Sequence, residues 1–278
     1  MNRWHVDVLR AGDFRLDGGG MFGLIPKVQW STWVEADDDN RIPLACNLLL
    51  ARDGARTVLI ETGYGDRWSD ADRASWQLSR RTAVDALAGL GVAAQDITDV
   101  IVTHLHFDHA AGLTTGPDAS IVPVFPGARI HVQKTEWEDA LANKSTMTRT
   151  YLRSVLDPIA GRVVLHDGTA EPMPGIELRP MPGHTWGMQG VFIEGQDGTW
   201  AFPGDLMPTR HHAHPSSSLG YDMLPYQTML TKRAFLQEAL DRDLLIVLDH
   251  DPGHPVVRAV RDGKRVALSP EAPGMLRP

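Results

Sequence analysis

The stretch His104-Leu105-His106-Phe107-Asp108-His109 puts three imidazoles and one carboxylate into six consecutive residues. Imidazole ligates zinc, iron and similar borderline ions, and a neighbouring carboxylate suits hydrolytic or Lewis-acid chemistry. The run Val100-Ile101-Val102 just before it reads as a buried strand. Ligands on the turn after a rigid strand are well placed to build a site, so the fold must bury that strand and open its end onto a polar centre. Three later segments repeat the arrangement. Pro182-Gly183-His184-Thr185 follows an apolar strand at Ile176–Pro180, Pro203-Gly204-Asp205 follows one at 199–202, and Asp249-His250-Asp251 follows one at 244–248. Gly183 and Gly204 supply tight turns that let backbone approach a site. Four strand ends meeting on one edge of a sandwich would supply seven ligands.

The rest of the chain alternates strand-like and helix-like stretches. Further strands are expected at 44–51 and 56–61, joined at Asp53-Gly54, and at 99–103, Arg129–Gln133, 162–165 and 191–194. Asp197-Gly198 marks a hairpin turn before 199–202, and a closing hairpin joins 256–260 to 265–268 at Asp262-Gly263. Helical spacing predicts helices at 80–90, 135–141, 148–156 and 226–240. This mixture gives an α/β class with two sheets packed together and helices outside. No linker is long enough to divide it, so residues 1–278 are expected to form a single domain.

With 278 residues, 42% of them hydrophobic, the chain can build a sizeable core without disulfides. Cys46 is the sole cysteine, which excludes an internal disulfide and a cysteine zinc knuckle; it reads as a small buried hydrophobe before Asn47-Leu48-Leu49-Leu50. The N-terminus leads into no apolar stretch of signal-peptide type and no run approaches bilayer-spanning length, so a cytoplasmic protein without membrane contact is expected. A formal net charge of −8 argues against nucleic acid as partner.

The order His-x-His-x-Asp-His, then His, Asp and His, resembles the metallo-β-lactamase superfamily over residues 44–250. That resemblance implies a four-layer αββα sandwich of two mixed sheets with helices on the outer faces. It implies a first ion on His104, His106 and His184, a second on Asp108, His109 and His250, and Asp205 between them. Two divalent ions about 3.5–4 Å apart would hold a shared water as hydroxide; zinc is the first expectation, with manganese, iron and cobalt also suited to these ligands. Asp108 would also carry a proton to the leaving group. Thr103, Thr185 and Glu61, which stands where the family usually has Asp, are candidates to orient the imidazoles.

Shorter segments narrow the branch. Leu16-Asp17-Gly18-Gly19-Gly20-Met21-Phe22-Gly23, Asn40-Arg41-Ile42-Pro43-Leu44, Gly204-Asp205-Leu206-Met207-Pro208-Thr209 with His212 and Tyr221-Asp222, Lys232-Arg233-Ala234-Phe235-Leu236 and His250-Asp251-Pro252 look like the quorum-quenching N-acyl homoserine lactone lactonases. A small-molecule lactone or ester is then the expected substrate. Tyr221 would donate a hydrogen bond to the substrate carbonyl or simply pack its loop. Met21, Phe22 and Trp30 would wall an acyl pocket or else pack in the core or a subunit interface, and His212 is a further candidate on the substrate side. Ser216-Ser217-Ser218 reads as a small, flexible loop, and His211, His212 and His214 as a mobile loop at the site mouth. Apolar residues exposed in 21–33 would suit a homodimer. Competing readings are a glyoxalase II-like thioester hydrolase, disfavoured by fewer than thirty residues after His250, an organophosphate hydrolase, a nuclease, a mono-iron persulfide dioxygenase and a non-enzymatic metal scaffold.

Overall fold

The computed structural model describes residues 3–263 and 265–271. It opens with a long strand that the sequence pattern did not reveal, β1 (His5–Asp17), followed by two short helices, α1 (Gly18–Phe22) and α2 (Lys27–Trp30). β1 then pairs antiparallel with β2 (Arg41–Arg52), with one register shift between Arg10 and Gly12. Gly12 is obligatory there, because a Cβ would stand 2.1 Å from the Tyr64 hydroxyl. The first half continues through β3 (Thr57–Ile60), α3 (Asp70–Trp76), α4 (Ala83–Ala88), β4 (Asp99–Ile101) and α5 (Phe107–Ala110). After the small hairpin β5 (Thr114–Thr115) and β6 (Val122–Pro123) come β7 (Arg129–Gln133), α6 (Lys134–Leu141), α7 (Arg153–Ile159) and β8 (Val163–His166).

The second half contains β9 (Ala170–Met173), β10 (Ile176–Pro180), β11 (Gln189–Gly195), β12 (Gly198–Phe202), α8 (Pro225–Asp241), β13 (Leu245–Val247), β14 (Val256–Asp262) and β15 (Arg265–Pro270). One sheet runs β1-β2-β3-β4-β7-β8 and the other β15-β14-β13-β12-β11-β10-β9. Both are mixed. β3, β4, β7 and β8 are parallel in the first, and β12 and β13 are parallel in the second.

Successive side chains on a strand point to opposite faces, and here both faces are covered. Leu49, Ala51 and Ile101 meet Trp200, Phe202, Leu245 and Val247 between the sheets. The alternate residues Leu48, Leu50, Val100 and Val102 turn outward to Leu87, Leu156 and Ile159 of the helices over the first sheet. On the far side Ala201, Leu244, Ile246 and Leu248 pack on Phe235, Leu236 and Ala239 of α8. This is the expected αββα order, and it explains why β13 reads as an unbroken apolar run. Each Leu, Val or Ile fully buried in these layers contributes roughly 1.5–3 kcal/mol. Cys46 is buried on β2 as expected, its thiol 3.6 Å from the Asp108 carbonyl oxygen.

Two helices differ from the spacing argument. The helix expected over 80–90 covers only Ala83–Ala88, started by a capping box between Thr82 and Asp85. The helix expected over 148–156 begins later and runs through Pro158 to Ile159. Pro158 has no N–H to offer the Ser154 carbonyl, and that oxygen instead accepts from the Arg67 guanidinium at 3.4 Å. Among the described residues no helix is long and apolar enough to cross a membrane.

Candidate metal centre

Each ligand-type side chain sits where a strand stops. His104 and His106 follow β4, and Asp108 and His109 lie in α5 immediately after; His184 follows β10, Asp205 follows β12, and His250 follows β13. A parallel strand flanked by covering layers ends in a crevice at its carboxyl end, which is where polar residues can converge. Gly204 adopts φ +56° with a Cβ position only 2.7 Å from Thr103 Oγ1, so only glycine lets Asp205 approach the loop after β4.

The structure brings all seven residues together. His106 Nδ1 and His184 Nε2 are 3.0 Å apart, and the Asp205 Oδ2 lies 3.1 Å from His184 Nε2, 3.7 Å from His109 Nε2 and 3.9 Å from His104 Nε2. His250 Nε2 stands 3.2 Å from His109 Nε2, 3.3 Å from Asp205 Oδ1 and 3.5 Å from Asp108 Oδ2. The ligand atoms form two groups, His104 with His106 and His184, and His109 with Asp205, Asp249 and His250; within each they lie inside 4.8 Å of one another. All of these side chains are buried, yet His104 Nε2, His106 Nε2, Asp205 Oδ1 and both Asp249 oxygens have no hydrogen-bond partner among the described residues. Buried polar atoms left in this state are costly unless a cation takes their lone pairs. The donor set therefore fits two divalent ions.

The electrostatics agree. Burial, then the neighbouring imidazoles, hold His104 and His106 well below the ordinary histidine range, which leaves them neutral and ready to ligate. Burial opposes ionisation of Asp205, but His184, His250 and His109 outweigh it and keep the carboxylate charged. Burial and Asp205 push Asp249 the other way, above the usual carboxylate range.

The ring nitrogens that face away from the centre are tied down. His250 Nδ1–H donates to the Ala45 carbonyl at 2.7 Å, and His184 Nδ1–H donates to Asp222 at 2.9 Å. Thr103 Oγ1 lies 3.1 Å from His104 Nδ1. Glu61 takes the Thr103 N–H at 2.6 Å on Oε1 and stands 3.4 Å from His109 Nδ1 with Oε2. It does so from a left-handed backbone, φ +67°, a conformation that costs a non-glycine residue about 1–3 kcal/mol. Thr185 does not orient an imidazole, contrary to expectation. Its hydroxyl donates to Glu136 at 2.6 Å. Glu136, fully buried on α6, also accepts from the Leu105 N–H and the Tyr151 hydroxyl, and so joins two ligand loops. Sequence reasoning missed Glu136 and Asp249 and gave Asp222 no role. The only available signals were a carboxylate opening a helix right after β7 and the pair of acids flanking His250.

A cavity of about 290 Å³ stands over His106, Asp108, His184, Asp205 and His250. Its wall includes Leu16, Met21, Trp76, Phe107, Met147 and Tyr221, with Arg149 at one side. Trp76 stacks on Phe107 at 5.0 Å, and Trp68 packs edge-on against both. Burial first, then Asp17, Asp108 and Asp205, push the Tyr221 phenol up to about 12, so it keeps its proton. Gly20 makes room for it, since a Cβ there would lie 2.0 Å from the Tyr221 oxygen.

Other expectations for the wall are corrected. Phe22, Trp30 and His212 do not line the cavity; they are buried behind it, with Phe22 stacked between Trp30 at 5.4 Å and His212 at 5.1 Å. Large rings on a short helix bury more surface inward than at a cavity mouth. His212 Nε2–H donates to the Met21 carbonyl at 2.8 Å, which makes the imidazole a strut rather than a mobile mouth residue. Ser217 and Ser218 are packed in, and the buried Lys232 ammonium donates to the Ser217 carbonyl at 2.5 Å. In 21–33 the apolar side chains left outside are Leu24 and Val28, at 91% and 82% exposure.

Comparison with known proteins gives the same frame. The family model described as the metallo-β-lactamase superfamily matches residues 41–250. A protein of Mycobacterium bovis described as a "probable metallo-hydrolase" is 26% identical over 244 residues, covering 76% of either chain. An N-acyl homoserine lactonase of Bacillus thuringiensis is 27% identical over 164 residues, covering 55% of this chain and 59% of that one. The crystal structure of a "probable metal-dependent hydrolase" from Staphylococcus aureus superposes with a TM-score of 0.88 at 28% identity, covering 98% of each chain.

Proposed function

The chain belongs to the metallo-β-lactamase superfamily and is a metal-dependent hydrolase; from that premise we propose that it opens lactones, N-acyl homoserine lactones or close analogues. The observation that carries this reading is the cavity: an apolar, aromatic wall stands directly over the ligand floor and has a protonated phenol in it. Such a wall suits an acyl chain, and Tyr221 suits the lactone carbonyl that must be oriented. A lactonase among the sequence relatives supports the choice of ester.

Two divalent ions bound on the floor would polarise the ester carbonyl and make water acidic enough to attack near neutral pH. The chain's own groups do the rest. Trp76, Phe107 and Met21 hold the acyl chain and exclude water from it. Tyr221 donates a hydrogen bond to the carbonyl oxygen, and that bond strengthens as the oxygen gains charge. Asp108, on the cavity floor, takes the proton of the attacking water and returns it to the ring oxygen as the acyl C–O bond breaks. The product is a hydroxy acid, which ionises and releases one proton.

That proton is the assay. With a pH indicator, turnover is expected on acyl homoserine lactones and simple lactones, and Asp108→Ala and His109→Ala should abolish it. Turnover confined to glutathione thioesters or phosphotriesters would replace this reading with a thioesterase or organophosphate one.

A further inference from the structure

The second ligand group contains a carboxylate that neither the motif nor the reaction has used. Asp249 sits between the end of β13 and His250, 2% exposed, with both oxygens buried and unpartnered among the described residues. Its ligand atom lies within 4.8 Å of those of His109, Asp205 and His250. Its backbone is fixed, because the Asn47 N–H donates to the Asp249 carbonyl at 2.8 Å and Asn47 Nδ2 to that of Leu248. Of the other buried acids nearby, Glu61 leaves one oxygen unpartnered among the described residues while its other accepts the Thr103 N–H, and three more are satisfied. Asp251 accepts the N–H groups of Arg210, Gly253 and His254; Asp222 accepts from His184 and Leu219; Glu136 accepts three donors. A buried carboxylate is retained without donors where a cation pairs with it.

We propose that Asp249 is a ligand of the second ion, so that this position carries three carboxylates, Asp108, Asp205 and Asp249, with His109 and His250. The first position has three imidazoles and shares Asp205. The assignment rests on the two-ion reading of the same floor. Oxygen-rich sites suit harder ions such as manganese, while imidazole suits zinc. The two positions therefore differ in the ion they prefer, zinc at the first and manganese or ferrous iron at the second.

The test is Asp249→Asn, which keeps shape and removes charge. Metal per chain is measured on wild type and variant after equilibration with graded chelator, using zinc alone, manganese alone and an equimolar mixture. Wild type is expected to hold two ions, with manganese enriched at the weaker position of the mixture. The variant should keep one ion at wild-type affinity and bind the second at least about tenfold more weakly, with the manganese preference lost. Melting of the metal-free proteins distinguishes a ligand from a structural acid. A ligand role predicts an unchanged or higher Tm in the variant, because a carboxylate crowded by Asp205 and Glu61 has gone. A structural role predicts a lower Tm with metal binding intact, and that overturns the assignment, as does a variant that holds both ions as tightly as wild type. Asp249→Glu, which restores the charge, should recover part of the second ion's affinity; no recovery counts against the proposal. Loss of lactone turnover in wild type with Asp249-dependent binding intact would refute only the substrate reading.

Discussion

The ligand floor takes its side chains from the ends of β4, β10, β12 and β13, whereas the wall above it collects Leu16 from β1, Met21 from α1, Trp76 from α3, Phe107 from α5 and Met147 and Tyr221 from connecting segments. Strand ends in the middle of a sandwich are held by ladders and core on both faces. α3, by contrast, buries none of its residues, and Arg149 reaches it through an ion pair to Asp72 at 3.1 Å and a place over the Trp76 ring at 5.8 Å. The floor can thus keep one chemistry while the wall is free to change substrate, the usual division between scaffold and loops.

Three variants probe that division, from the floor outward. Asp205→Asn weakens the group that stands between both ligand sets, and hydrolysis should fall by about 10³-fold. Metal analysis should show less than two ions per chain; full metal and full rate would dissolve the distinction between floor and wall. Tyr221→Phe removes one polar atom from the wall and should lower kcat/KM by roughly 10- to 100-fold with metal content unchanged. A variant that instead lost metal would move Tyr221 to the floor. His212→Gln lies behind the wall, and its effect is on stability. Burial, then Lys232, pushes His212 down to about 3, while the unfolded chain protonates it near about 6.5. As pH falls from 6 to 4 only the unfolded state takes that proton, so wild type loses about 1.4 kcal/mol of stability per pH unit from this residue. Urea denaturation at several pH values should show a shallower slope in the variant and no change in lactone turnover at pH 7.

The same division governs what the residues disclose before folding. The floor is written in short range: a run of ligand types directly after an apolar strand is legible because strand and turn are local. β13 and β12 were read for the same reason. β1 was not, because its alternation breaks between Val8 and Gly12, where the register shifts, leaving two short alternating pieces with charges in each. The wall depends on which face of α1 and α2 meets the core, and five-residue and four-residue helices carry no usable period. Met21 at the cavity and Phe22 one residue on behind it could not be separated from sequence. Asp249 was passed over since an acid beside a histidine at a strand end looks like any turn residue; only its missing donors set it apart.

Cys46 lies 2% exposed behind the Asp108 carbonyl, with burial holding its thiol well above the ordinary pKa. The native protein is therefore silent toward maleimides at neutral pH. A Leu24→Cys exchange at the most open large apolar position among the described residues would give one addressable sulfur, and a fluorophore there would watch the α1–α2 corner while substrate enters, against no background.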